Sequence, residues 1–126
     1  MTTNTKTKTM TTQEVANRLV ELCRNGKVLE AQEELFADNV TSVEPAHSPT
    51  PKAIGREAVL AKGKQFASMI EERHSGSFSD PIVGGNYFSI VCKLDATMKG
   101  MGKVVWDEIC LFEVKDGKVV SEQFFY

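Results

Sequence analysis

Across residues 88–98 the chain alternates with a period of two. Phe88, Ile90, Cys92, Leu94, Ala96 and Met98 fall on one side; Ser89, Lys93, Asp95 and Thr97 fall on the other, with Val91 the single apolar exception. An alternation of that length describes a long β-strand with one buried face, and it excludes an all-helical fold. Gly84-Gly85-Asn86 before it and Gly100-Met101-Gly102 after it are turn sequences. Residues 104–114 return as a second long strand. Asp116-Gly117 turns the chain again, residues 119–126 form a last strand, and 74–83 supply one ahead of the series.

The first half of the chain reads differently. Thr11 and Glu14 have capping-box spacing, Val15, Leu19, Leu22 and Cys23 follow at helical intervals, and Gly26 ends the helix. A second helix is expected over 28–37, broken by Asp38-Asn39, and then a short strand over 40–44 stopped by Pro45. Three prolines between Pro45 and Pro51 make a loop. A third helix is expected over 56–72, with Val59, Gly63, Phe66 and Ile70 in one stripe. Three helices followed by four antiparallel strands is an α+β pattern, and a curved sheet covered by helices leaves room for a pocket between the layers.

Composition narrows the function classes. Leu, Ile, Val and Phe number 32 of 126 residues, above the ~20% below which a charged chain stays disordered. One domain over residues 11–126 is expected, preceded by a Thr-rich mobile tail over 1–10. With 15 Lys+Arg against 17 Asp+Glu, no field steers the protein onto nucleic acid. No apolar run reaches the ~20 residues of a membrane span or the ~7–15 of a secretory signal. Cys23, Cys92 and Cys110 lack CxxC spacing and read as core hydrophobes in a reducing compartment. The expected location is cytoplasmic.

Several short stretches resemble one family. Leu35-Phe36-Ala37-Asp38-Asn39-Val40, Val43-Glu44-Pro45 and Ile54-Gly55-Arg56-Glu57-Ala58 are similar to the first half of the SnoaL-like branch of the nuclear-transport-factor-two-like superfamily. Residues 114–120 with Glu122-Gln123-Phe124-Phe125-Tyr126 resemble its last hairpin. The resemblance implies a cone-shaped α+β barrel, with three N-terminal helices packed on a strongly curved antiparallel sheet. It also implies a deep apolar pocket and homodimers formed through the outer sheet face; the expected partner is a small apolar molecule, and no cofactor is expected. The superfamily includes polyketide cyclases, steroid isomerases, dehydratases, epoxide hydrolases and proteins without catalytic activity, so fold does not decide function.

Glu44 is placed like the general-base carboxylate of the steroid isomerases. A carboxylate at the mouth of an apolar pocket suits proton abstraction near neutral pH. The remaining isomerase groups are missing: Leu19 stands at the tyrosine position and Cys110 at that of the protonated acid. The aspartate of the polyketide cyclases falls near Phe125. Both departures weigh against the usual mechanisms of those enzymes.

Strand parity leaves two assignments open. In one, Glu122, Phe124 and Tyr126 face inward with Trp106, Glu108, Cys110 and Phe112; in the other, Ile109, Leu111 and Phe125 are buried and both acids are in water. The resemblance favours the first. A two-residue turn at Asp116-Gly117 sets residue 111 opposite 122. A bulge placing 110 there instead would bring Glu108 one diagonal step from Glu122. His74 could join these acids as a proton donor, and Lys62 and Phe66 could reach the cone mouth from the third helix. His47 sits in the proline loop, and no His spacing suits a metal. The expected function is a small-molecule pocket protein doing metal-free acid–base chemistry, with Glu44 as base and His74 or Tyr126 as proton donor. The rival is a non-catalytic ligand-binding or dimerisation module.

Overall fold

The computed structural model describes residues 9–126. Helix α1 (Thr12–Arg24) starts at the expected capping box: Thr11 Oγ1 accepts from the Glu14 amide at 3.1 Å, and Glu14 Oε1 accepts from the Thr11 amide at 2.9 Å. Val15, Ala16, Leu19, Val20, Leu22 and Cys23 are its buried stripe. The mobile-tail expectation lies outside the described residues for 1–8, while Met10 packs against the core.

Helix α2 (Val28–Leu35) is shorter than its sequence suggests, and β1 (Phe36–Val43) follows without a loop. Asp38-Asn39 does not break the chain. Phe36 is already extended and pairs with Val119, and the polar pair lies where the β1 register shifts, with Asp38 bonded to Arg56 at 2.8 Å. Strand pairing overrides local turn preference there. After the proline loop come β2 (Lys52–Ile54) and α3 (Arg56–Ser68). The third helix stops four residues early because Ile70 pairs with Met98 as β3 (Ile70–Phe78). Strands β4 (Ile82–Gly84), β5 (Tyr87–Met98), β6 (Gly102–Lys115) and β7 (Lys118–Phe125) complete the chain.

The α+β class, with three helices on one curved sheet, is as expected, and the details of the sheet differ. It has seven strands in the order β2-β1-β7-β6-β5-β3, with β4 pairing the start of β5. It is mixed: β7 lies parallel to β1, because the chain crosses the whole sheet before returning to the first strand. As expected, a strand precedes α3, and β2 is a second one that the proline loop had hidden.

The concave face has two parts. Under α1, Phe88 stacks on Phe112 at 4.8 Å, and Ile90, Cys110, Val114 and Val119 close a dry core. Toward the other end of the long strands, α3 lies over the sheet and polar side chains enter.

Parity is set by the last hairpin. Asp116 (φ 52°) and Gly117 (φ 75°) form its turn, and Lys115 pairs with Lys118. Val114 then pairs with Val119 and Glu113 with Ser121, so Val120 is an extra, bulged residue. The bulge has the opposite sense from the one anticipated: it sets Phe112, not residue 110, opposite Glu122. Its effect is that Val119 and Glu122 both point inward.

A Cβ on Gly117 would lie 2.9 Å from Thr9 Cγ2 and 3.1 Å from the Met10 amide, whereas one on Gly85 (φ 57°) would meet nothing. Gly117→Ala should therefore cost about 2 kcal/mol in urea unfolding and Gly85→Ala about 1 kcal/mol. Equal losses would mean that the N-terminal segment does not rest on this turn.

Candidate functional site

Glu122 is the most deeply placed acid, 3% exposed on β7. Its neighbour is Ser42 of the parallel strand β1, also fully buried, whose hydroxyl donates to Glu122 Oε2 at 2.7 Å. Ser42 in turn accepts from Lys62 Nζ at 2.7 Å. Lys62 reaches down from α3, bonds Glu44 Oε2 at 2.8 Å, and lies 5.3 Å from the centre of the Phe124 ring. Glu44 follows the end of β1, and its other oxygen accepts from the Tyr126 hydroxyl at 2.7 Å. One continuous chain therefore runs Tyr126–Glu44–Lys62–Ser42–Glu122. The Lys62–Glu44 pair, with side chains 20% and 16% exposed, is shielded from water and from salt.

Glu108 enters from β6 on the same inner face but stays outside this chain. Its partner is the Cys110 thiol, at 3.8 Å a weak donor. It is not the diagonal neighbour of Glu122: Phe112 and Cys110 oppose Glu122 and Phe124, and Glu108 lies one pleat further along. Trp106, the next inner residue, meets Phe66 of α3 edge-to-face at 5.2 Å. An open groove of about 600 Å³ runs past Glu44, Pro45, Phe124 and Tyr126 at the sheet margin.

The electrostatics follow from burial. Loss of water raises Glu122 from 4.5 to about 7, against the opposing effects of the Ser42 hydrogen bond and the Lys62 charge. Burial also raises Glu108 to about 7, with the Glu44 charge as the next cause. Tyr126 is pushed up to about 12 by burial and by its bond to Glu44. Contact with Cys92 and burial keep the Cys110 thiol protonated. Two carboxyls thus hold or release a proton near neutrality beside an ammonium that stays paired.

The expected residues divide. Glu44, Glu108, Glu122, Tyr126, Lys62, Phe124, Trp106 and Phe66 gather at the α3 end of the concave face. Phe112 belongs to the closed core, and Cys110 sits at the border between the two regions. His74 does not join them. It occupies the irregular pairing between Arg73 and Ser75, and its Nε2 lies 2.7 Å from Thr97 Oγ1, a hydroxyl on the outer face. The bulge in β3 turns it away from the acids. His47 of the proline loop packs edge-on against Tyr126 at 5.7 Å. Ser42 escaped sequence reasoning. The signal was present, since Ser42 and Glu44 are two apart at the end of one strand and so share a face.

A family model described as a SnoaL-like domain matches residues 10–126. A solved Mesorhizobium loti protein, provisionally named as a SnoaL-like polyketide cyclase and carbohydrate phosphatase, is 36% identical. The match has a TM-score of 0.88 and covers 93% of this chain and 100% of that one. A Catenulispora acidiphila protein with a ketosteroid isomerase-like fold, solved with trimethylamine, is 22% identical at TM-score 0.70, over 92% of this chain and 87% of the other. A Jannaschia protein, also provisionally named a SnoaL-like polyketide cyclase, is 15% identical at TM-score 0.72, over 98% and 90%. The last two likenesses show the fold alone. No curated protein matches the sequence.

The raised acids make stability depend on pH. The unfolded chain releases the Glu122 proton near 4.5 and the folded chain near 7. Folding therefore binds protons in that interval, and stability is fullest below it and declines as pH rises through it. The share of Glu122 is on the order of 3 kcal/mol. Unfolding free energies between pH 4 and 8 should fall for the native chain. In Glu122→Gln the decline should be about half as large, with Glu108 supplying what remains. Parallel curves would show that Glu122 titrates as a solvated acid.

Proposed function

The chain belongs to the SnoaL-like domain family, and from that premise we propose that it is a metal-free acid–base enzyme acting on a small apolar carbonyl compound. The observation that carries this reading is Glu108: an acid with proton affinity matched to neutral pH, on the concave face, with no strong partner. Glu44 was expected to be the base, but both its oxygens are engaged by Lys62 and Tyr126. The base is therefore Glu108. Glu108 takes a proton from carbon beside the carbonyl; it returns that proton to another carbon in isomerisation, gives it to a β-hydroxyl that leaves as water in dehydration, or gives it to the oxygen of a second carbonyl that the enolate carbon attacks in cyclisation. The enolate oxygen is stabilised by the Lys62 ammonium, which keeps one N–H after its bonds to Ser42 and Glu44. The polyketide-cyclase name of the 36% identical relative supports this class of chemistry. The three free cysteines fit the reducing cytoplasm.

The same reading includes a homodimer. On the outer face Val91, Ile109 and Phe125 stand directly opposite one another across three strands, 37%, 51% and 47% exposed. A second copy would cover this row.

Two measurements test these readings. Simple ketones and β-keto esters incubated in D2O should lose their exchangeable C–H signals faster with the protein than without it, and Glu108→Gln should slow that loss about 100-fold or more. No acceleration over buffer would leave the non-catalytic binding module as the better account, and an unimpaired Glu108→Gln variant would remove Glu108 as the base. Light scattering should return twice the 13.9 kDa chain mass, and Ile109→Asp should return the single chain. A native monomer would remove the dimer.

A further inference from the structure

Arg73, an exposed residue on the edge strand β3, is the charged group on the concave side that the proposed chemistry does not use. Its strand partner, Ala96, is fully buried, which fixes position 73 on the inner side of β3. The guanidinium folds over Gly76: a Cβ there would collide with Arg73 Nη2, and Gly76 supplies the room. Its charge is felt by the Cys92 thiol, which lies on the same face. Among the described residues it has no ion pair and no hydrogen bond. The other arginines, Arg18, Arg24 and Arg56, all meet acids.

The register shows what lies between Arg73 and the acids. Gly76 pairs with Leu94 and Leu94 with Trp106, so one apolar row leads from beneath the guanidinium to the Trp106–Phe66 pair. The adjacent row is Phe78, Cys92 and Glu108. Two strand spacings separate Gly76 from the strand of Glu108, a span on the order of 10 Å. The concave face is thus polarised. Three glutamates and one paired lysine stand at one end, an unneutralised cation at the other, and Leu94, Cys92 and Trp106 floor the space between them.

We propose that Arg73 anchors the substrate, and that the substrate is an apolar molecule carrying a carboxylate about that far from its reacting carbon. The proposal rests on the acid–base reading and adds a substrate class to it. A guanidinium offers two parallel N–H donors that match a carboxylate. The acid end offers an anion no unpaired cation, since Glu44 neutralises Lys62, so the molecule enters in one orientation, with its carboxylate at Arg73 and its carbonyl at Glu108 and Lys62.

Trp106 is the single tryptophan and borders this space, so its fluorescence reports occupancy. The probes are 4-phenylbutanoate and its neutral analogue 4-phenylbutanamide. The native protein should bind the acid about tenfold more tightly than the amide. Arg73→Gln should erase that preference without changing amide binding, and Arg73→Lys should restore part of it. Equal binding of the two probes by the native protein, or equal weakening of both by Arg73→Gln, overturns the anchor and leaves the pocket in place. If neither probe changes the fluorescence at millimolar concentration, the pocket reading falls and the anchor falls with it.

Discussion

A carboxylate removed from water must be paired, hydrogen-bonded or protonated, and the site is arranged around Glu122, an acid with that need. Ser42 meets it with a hydrogen bond, Lys62 meets Ser42, and Glu44 neutralises Lys62. The four side chains come from three separate parts of the chain, the end of β1, α3 and β7, so the parallel pairing of β1 with β7 and the placement of α3 over their ends are what bring them together. The site could not form in half of this fold. Removing any one link leaves a polar group buried without its partner, which costs more than the bond itself contributes.

The division of the concave face follows from the same packing. Alpha1 lies over the aromatic core at Phe88 and Phe112, where close packing leaves no space for a ligand. Alpha3 covers the remainder less completely, since Val59 is its one buried residue and Phe66 stays 40% exposed. Acid–base groups and the aromatic pair therefore share the incompletely covered end. A loosely covered face is a structural weakness that serves a binding site.

Much of this was legible in the sequence, for identifiable reasons. The alternation at 88–98 and the box at Thr11 and Glu14 are local signals, and both elements form as read. The inward placement of Glu108 and Glu122 required choosing between two parities, because both faces of the last strands carry apolar residues. The residue that decides it is Val120, and a bulge has no local signature there. The start of β1 at Phe36 and the early end of α3 were hidden because long-range pairing overruled local preference. His74 was set among the acids for its titration near neutral pH, and the irregular pairing in β3 that turns it to the outer face has no local signal. Ser42 was missed because a serine near a strand end has many duller explanations.

The account stands on two acids that keep their protons up to neutral pH while a third remains tied to a lysine. Titration of the glutamate side-chain carboxyl carbons by NMR, assigned by substitution, observes this directly. Glu108 and Glu122 should each show a midpoint near 7. If both titrate near the solvated value of ~4.3, neither is buried as described, and the proposed chemistry loses its proton carrier.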